Sequence, residues 1–164
     1  MHTTLWMNKR AIKSHFNKKR DTLYVPVHYE KYAGKPPIIC RSSWESAFCR
    51  WCDYSQAIVR WASEDIVVKY QDPITPIKNG KPYWRIYYPD YTIETEKGEI
   101  YLIEVKPLKQ TKPPTRTSNK SQKTMLTEAK TWKVNQAKWR AAEIYCKRRG
   151  WKFKIITEKE LFGK

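Results

Sequence analysis

The amino-acid sequence predicts an α/β fold, a mixed β-sheet flanked by helices in the core order α-β-β-β-α-β. Three observations carry this. Ser42 and Ser43 precede Trp44, Phe48, Trp51 and Cys52, apolar residues at helical spacing behind a cap. Segments rich in β-branched and aromatic residues then run as far as Val105. Beyond them, NQAKWRAAEIYCKRRG has an Asn cap, helical apolar spacing, basic last-turn residues and Gly150 as a stop, and WKFKIIT succeeds it as a strand.

Taken in order, residues 1–40 read as a basic N-terminal arm. Their first 20 positions carry Lys9, Arg10, Lys13, Lys18, Lys19 and Arg20 and no acid, and Pro26, Gly34, Pro36 and Pro37 interrupt the second half. Residues 41–164 read as the folded domain. RSSWESAFCRWCDY opens it as a helix, and AIVRWASEDIVVKY and KPYWRIYY read as strands. YTIETEKGEIYLIEV reads as a hairpin turning at Glu96-Lys97-Gly98, where a three-residue loop wants a glycine in the left-handed region. The acid-free KPLKQTKPPTRTSNKSQK is a loop, and EKELF is a short closing helix.

Composition narrows the function. The chain has 164 residues, enough for one domain with a real core, and eight Trp, eleven Tyr and four Phe supply its apolar bulk. Lys plus Arg number 33 against 16 Asp plus Glu, a formal charge of +17. An excess of that size points to a polyanionic partner, and nucleic acid suits it better than a membrane. No apolar run is long enough to span a bilayer, and no signal-type hydrophobic segment is expected at the start. His2, His15 and His28 all precede the core, which argues against a histidine nuclease or a Ser-His-Asp hydrolase. Cys49 and Cys52 form a CxxC without a second pair. Cys40, Cys49, Cys52 and Cys146 therefore read as free buried thiols, not a zinc set.

The hairpin carries the chemistry. A turn at residues 96–98 sets Thr95 opposite Glu99 and, stepping outward, Asp90 opposite Glu104. Asp90, Thr92, Leu102, Glu104 and Lys106 then share one face, and Tyr91, Ile93, Tyr101, Ile103 and Val105 the other. Directly opposed carboxylates repel. A divalent cation relieves them, and hard oxygen ligands select Mg²⁺ or Mn²⁺. Lys106 shares their face, placed to orient a water or offset charge on a phosphate. The plainer alternative is a surface hairpin with an ordinary Glu104–Lys106 salt bridge. Glu45 also stands in two readings. It completes a capping box with Ser42, or it is a third active-site carboxylate, with Glu64 and Asp65 as substitutes.

Pro89-Asp90, a hairpin-length gap and Glu104-Val105-Lys106 resemble the signature of the PD-(D/E)XK nucleases, and the element order resembles their restriction-endonuclease-like core. RSSWES, WASED, YYPDYTI, YLIEVKPLKQTKPP and TWKVNQAKWRAAEIYCKRRGWKFKIITE, between about Arg41 and Glu160, are similar to the head-completion nucleases of T-even-type tailed phages. The resemblance implies a catalytic set of Asp90, Glu104 and Lys106 with Glu45, and a Mg²⁺ site on Asp90, Glu104 and Glu45. It implies a virion protein of the head and neck, also met in the host cytoplasm, with portal or neck partners, acting on DNA ends after packaging. Several members of the superfamily add a polar residue from the helix after the Glu-x-Lys strand. Gln136 and Lys138 stand at the expected start of that helix, where an exposed first turn is the alternative.

Lys109, Lys112, Arg116, Lys120 and Lys123 leave the strand beside this site, in a loop without acids. They suit the phosphates of double-stranded DNA, and nothing in them reads sequence. Two rival functions remain at this level. One is a structural DNA-end or neck-binding protein with a silent site; the other is a junction-resolving or transposon-end nuclease.

Overall fold

The computed structural model describes residues 21–163. Strand β1 (Thr22–Tyr24) pairs antiparallel with β2 (Ile38–Cys40), and helix α1 (Ser43–Tyr54) comes after them. Next come β3 (Ile58–Ser63), β4 (Val68–Gln71), the short pair β5 (Ile77–Lys78) and β6 (Lys81–Pro82), and β7 (Trp84–Tyr87). β8 (Tyr91–Thr95) and β9 (Ile100–Val105) form the hairpin. Helix α2 (Gln122–Lys147), β10 (Lys152–Ile156) and α3 (Glu158–Phe162) complete the order.

The central sheet runs β10-β9-β8-β3, with β10 parallel to β9 and the other neighbours antiparallel. Its elements in chain order, α1, β3, β8, β9, α2 and β10, reproduce the expected α-β-β-β-α-β. Gly98 sits at φ +74° and donates to Thr95 O at 2.9 Å, closing the turn where the sequence puts it. Thr95 N–H then meets Glu99 O, and the pairs Thr92↔Leu102 and Tyr91↔Ile103 confirm the expected register.

Alternation gives the sheet two unlike faces. Tyr91, Ile93, Ile103 and Val105 pack on Phe48, Cys49 and Cys52 of α1, a helix started by the Ser42 hydroxyl accepting from Glu45 N at 3.1 Å. Leu102, on the other face, packs on Ala142 and Cys146 of α2 with Val68, Tyr70 and Tyr87. All four cysteines are buried and free.

Three sequence expectations change. AIVRWASEDIVVKY is split: Glu64 takes φ +47°, and the chain turns so that β4 pairs with β7 in a separate ribbon. The helix expected to begin at Asn135 begins at Gln122, capped by the Ser121 hydroxyl on Thr124 N. Residues 122–134 hold no Gly or Pro, so nothing stops the helix from extending back, and Asn135 lies buried in its middle. The break expected between residues 40 and 41 is not a break in packing either. Tyr32, Ile38 and Cys40 belong to the α1-side core, and Ala33 N–H bonds Trp61 O along the free edge of β3. Residues 1–20, the most basic part of the expected arm, lie outside the described residues.

A polar clamp holds this segment. Buried Asp53, at the end of α1, accepts from Tyr24 OH at 2.9 Å, Val27 N at 2.8 Å and His28 N at 2.9 Å. Lys31 Nζ caps the same helix end through the carbonyls of Cys52, Asp53 and Ser55, each at 2.8 Å. Burial works against the Asp53 charge, but the donated hydrogen bonds prevail and hold its carboxyl below the usual range. Asp53→Ala should therefore cost about 2–4 kcal/mol at pH 7, because it orphans two backbone N–H groups. A depressed carboxyl contributes fully above the ordinary Asp range and loses that contribution as pH falls through its folded value. Urea midpoints of wild type and variant should converge on acidification; equal midpoints at pH 7 would remove the clamp from the fold's stability.

Candidate active site

β8 and β9, the two inner strands of the sheet, bring two acids together where β8 begins and β9 ends. One step beyond Tyr91↔Ile103, Asp90 stands across from Glu104. Asp90 Oδ2 accepts the Val105 N–H at 2.7 Å, which fixes the side chain against β9; Oδ1 has no donor among the described residues. Glu104 is only 3% exposed, with Oε1 2.9 Å from Lys106 Nζ and Oε2 accepting from Tyr87 OH. Lys106 N–H bonds Ile156 O at 2.9 Å, so β10 fixes the backbone that carries the lysine.

The electrostatics arise from crowding. Burial first, and the Glu104 charge second, push the Asp90 carboxyl up to about 8, against the pull of Lys106 and the Val105 N–H. Burial opposes the charge on Lys106, yet Glu104 and Asp90 outweigh it and hold the ammonium above its ordinary range. Burial and the Glu104 charge together raise the Tyr87 phenol. An acid pair with one member forced toward neutrality, and with Asp90 Oδ1 left without a donor among the described residues, is a donor set that suits a divalent cation. Among the described residues no three His, Cys, Asp or Glu side chains cluster closely enough to hold a metal. A cation here would rest on Asp90 and Glu104 and fill its remaining positions with water or phosphate, as Mg²⁺ commonly does.

The TnsA-like endonuclease N-terminal family matches residues 55–158, a span that contains the acid pair and Lys106. The chain belongs to that family. Its fold is accordingly restriction-endonuclease-like, as its element order suggested. It is also 36% identical over 139 residues to the head completion nuclease of Enterobacteria phage T4, covering 82% of this chain and 89% of that protein.

The other expected site residues are placed less uniformly. Glu45 serves the helix start without closing the expected capping box: its Oε1 accepts from Ser42 Oγ at 2.9 Å, and its Oε2 from Arg41 N at 2.9 Å, one residue before the cap. It is near enough to add its charge to that felt by Asp90, and its oxygens also hold the helix start. Glu64 pairs with Arg41 at 2.5 Å, and Asp65 accepts from Thr92 Oγ1 at 2.7 Å, so neither joins the acid pair. Lys138 approaches the site, with Nζ 5.3 Å from the centre of the Tyr87 ring. Burial, with Lys106 and Arg85 nearby, lowers its pKa against the opposing pull of Glu104.

Gln136 does not approach the site. It is exposed and lines a different groove, on the far flank of α2. Two residues apart on a helix, Gln136 and Lys138 point about 200° apart, so the two cannot both turn toward the acids. Lys109, Lys112, Arg116 and Lys123 are exposed, whereas Lys120 is held by Glu128 Oε2 at 2.7 Å and Thr115 O at 3.1 Å. Lys109, Lys112 and Lys120 edge a groove of about 370 Å³ that reaches Asn135. No helix among the described residues is long and apolar enough to cross a membrane.

Sequence reasoning missed Tyr87 and Asn135. A period-2 signal was present for Tyr87, since WRIY places it with Arg85 on the inward side of β7, but its target lies on another sheet. Asn135 passed for a cap because Asn commonly serves as one.

Asp90 yields a sign-definite test. Its folded value near 8 exceeds its unfolded value, so stability is greatest below the unfolded value and falls as pH rises toward 8. Asp90→Asn keeps an acceptor for Val105 N–H and cannot ionise. In EDTA, urea unfolding should show the variant gaining on wild type between pH 5 and pH 8 by more than about 1.4 kcal/mol, the equivalent of one pKa unit. A difference independent of pH would mean that Asp90 is not strained by its charge.

Proposed function

We propose that this chain is a Mg²⁺-dependent DNA endonuclease (Mn²⁺ serving equally), a phage head-completion protein that acts on DNA ends after packaging. The observation that carries the reading is the convergence of Asp90, Glu104 and Lys106 at one end of the β8–β9 pair, with the Asp90 carboxyl forced up by burial and by the Glu104 charge. The 36% identity to the phage T4 head completion nuclease supports a phage-head setting; on this reading the chain has portal or neck partners in the virion and meets the host cytoplasm before assembly.

Asp90 and Glu104 would hold the divalent cation, which would supply Lewis-acid polarisation of a phosphate and lower the pKa of a water. The protein's own part is positional. Tyr87 OH and Lys106 Nζ grip the two oxygens of Glu104 and fix its plane. Lys106 also brings a cation to the place where negative charge grows on the phosphate during attack. Lys109, Lys112, Arg116 and Lys123 extend that positive surface along the loop, and phosphate contacts of this kind do not discriminate sequence. Lys120, tied to Glu128, shapes the loop from within. Glu45, through its hold on Arg41 N and Ser42, positions the start of α1 beside the site.

Cleavage of supercoiled and linear DNA should need Mg²⁺ and stop in EDTA. Asp90→Asn and Glu104→Gln should abolish it while still binding DNA, and Lys106→Ala should slow it about 100-fold. Equal products from wild type and variants would favour a structural DNA-end protein. A many-fold preference for branched over plain duplex would favour the junction-resolving or transposon-end kind. Replacing Lys109, Lys112 and Arg116 together with Ala should flatten the log–log salt dependence of duplex binding by about 2–3 units. An unchanged slope would take the loop off the phosphates.

A further inference from the structure

Two grooves flank α2, and the proposed function uses only the one edged by the loop lysines Lys109, Lys112 and Lys120. The second, about 990 Å³, lies between β4, Trp84 of β7 and the outer flank of α2. Lys69, Lys133, Arg140 and Arg148 line it and no acid does. All four are exposed, and none is in an ion pair among the described residues. That is the charge pattern of a surface made for a polyanion.

Charge alone would suit a duplex backbone, but the walls say more. Trp84 is 58% exposed, Ile144 49% and Val67 46%, so bare apolar surface lies among the cations. Ribbon geometry explains how it comes to be bare. Val68, Tyr70 and Tyr87 turn inward onto Ala142 and Cys146, which leaves Val67, Lys69 and Trp84 to face outward. Phosphates cannot cover an indole face, whereas unpaired bases can stack on it. A duplex keeps its bases stacked on one another and offers no such face. Trp132 lines this groove and the groove edged by Lys109, Lys112 and Lys120 alike, so the two meet at that residue. Gln136, in the second groove, adds an amide able to bond a base edge.

We propose that this second groove binds single-stranded DNA, with phosphates on Lys69, Lys133, Arg140 and Arg148 and bases against Trp84 and Trp132. That the polyanion is DNA rests on the nuclease reading; the groove shares no residue with the acid pair.

Fluorescence anisotropy of the full chain in EDTA tests it, using a labelled 20-nucleotide oligothymidylate, an abasic strand of the same length and a duplex. Trp84→Ala should weaken oligothymidylate binding about tenfold and leave abasic-strand and duplex binding within twofold. A Lys133→Ala/Arg140→Ala double variant should weaken both single strands. Trp84 is exposed, and an unchanged melting temperature verifies that its variant is folded. Wild-type affinity for oligothymidylate in Trp84→Ala overturns the proposal. So does an equal loss on duplex, which would make the groove a backbone track, and so does failure of wild type to bind oligothymidylate, which would leave this face to a protein partner. Cleavage assays fail independently: an inactive wild type whose oligothymidylate binding still depends on Trp84 would sink the nuclease reading and keep the groove.

Discussion

Carboxylates set face to face across an antiparallel strand pair repel, and loss of water makes the repulsion worse. In this protein Asp90 and Glu104 are held that way, and much of the surrounding structure offsets the strain. The Val105 N–H, Tyr87 OH and Lys106 ammonium each take one carboxylate oxygen. These donors come from β9, from the β4–β7 ribbon and from the strand end fixed by β10. The acid pair therefore needs the separate ribbon and the parallel strand as much as its own hairpin.

The two faces of the sheet divide the labour. Toward α1, Tyr91 and Ile93 of β8 and Tyr101, Ile103 and Val105 of β9 are all apolar or aromatic, and that side holds the fold together. Toward α2 the apolar contact at Leu102 gives way at the strand end to Glu104, Asp90 and Lys106. The Asp53 and Lys31 clamp supports the first face by fixing residues 24–31 to the end of α1 and laying Tyr32 against Trp61. Cations, by contrast, gather along the loop after β9 and on the outer flank of α2, where no core packing competes for the positions.

Glu45 shows how one side chain can satisfy two expectations unequally. Its charge reaches Asp90, as a third carboxylate would, but its oxygens serve the start of α1, as a cap would. Gln136 and Lys138 show the effect of spacing within a helix. Two residues apart, they stand about 200° apart around the axis of α2, so only one of them turns toward the acids.

Local chemistry was enough for the hairpin: a glycine that tolerates positive φ fixes the turn, and strict alternation then fixes which residues oppose, so Asp90, Glu104 and Lys106 were legible as a set. The order of core elements was legible for the same reason, since caps, stops and periodicity act within a few residues. Tertiary packing alone decided that Tyr87 would bond Glu104, that β4 and β7 would leave the main sheet, and that α2 would carry Lys138 toward the acids and Gln136 away from them. Those outcomes depend on contacts between segments far apart in the chain, and no local pattern encodes the distance between two surfaces before they pack.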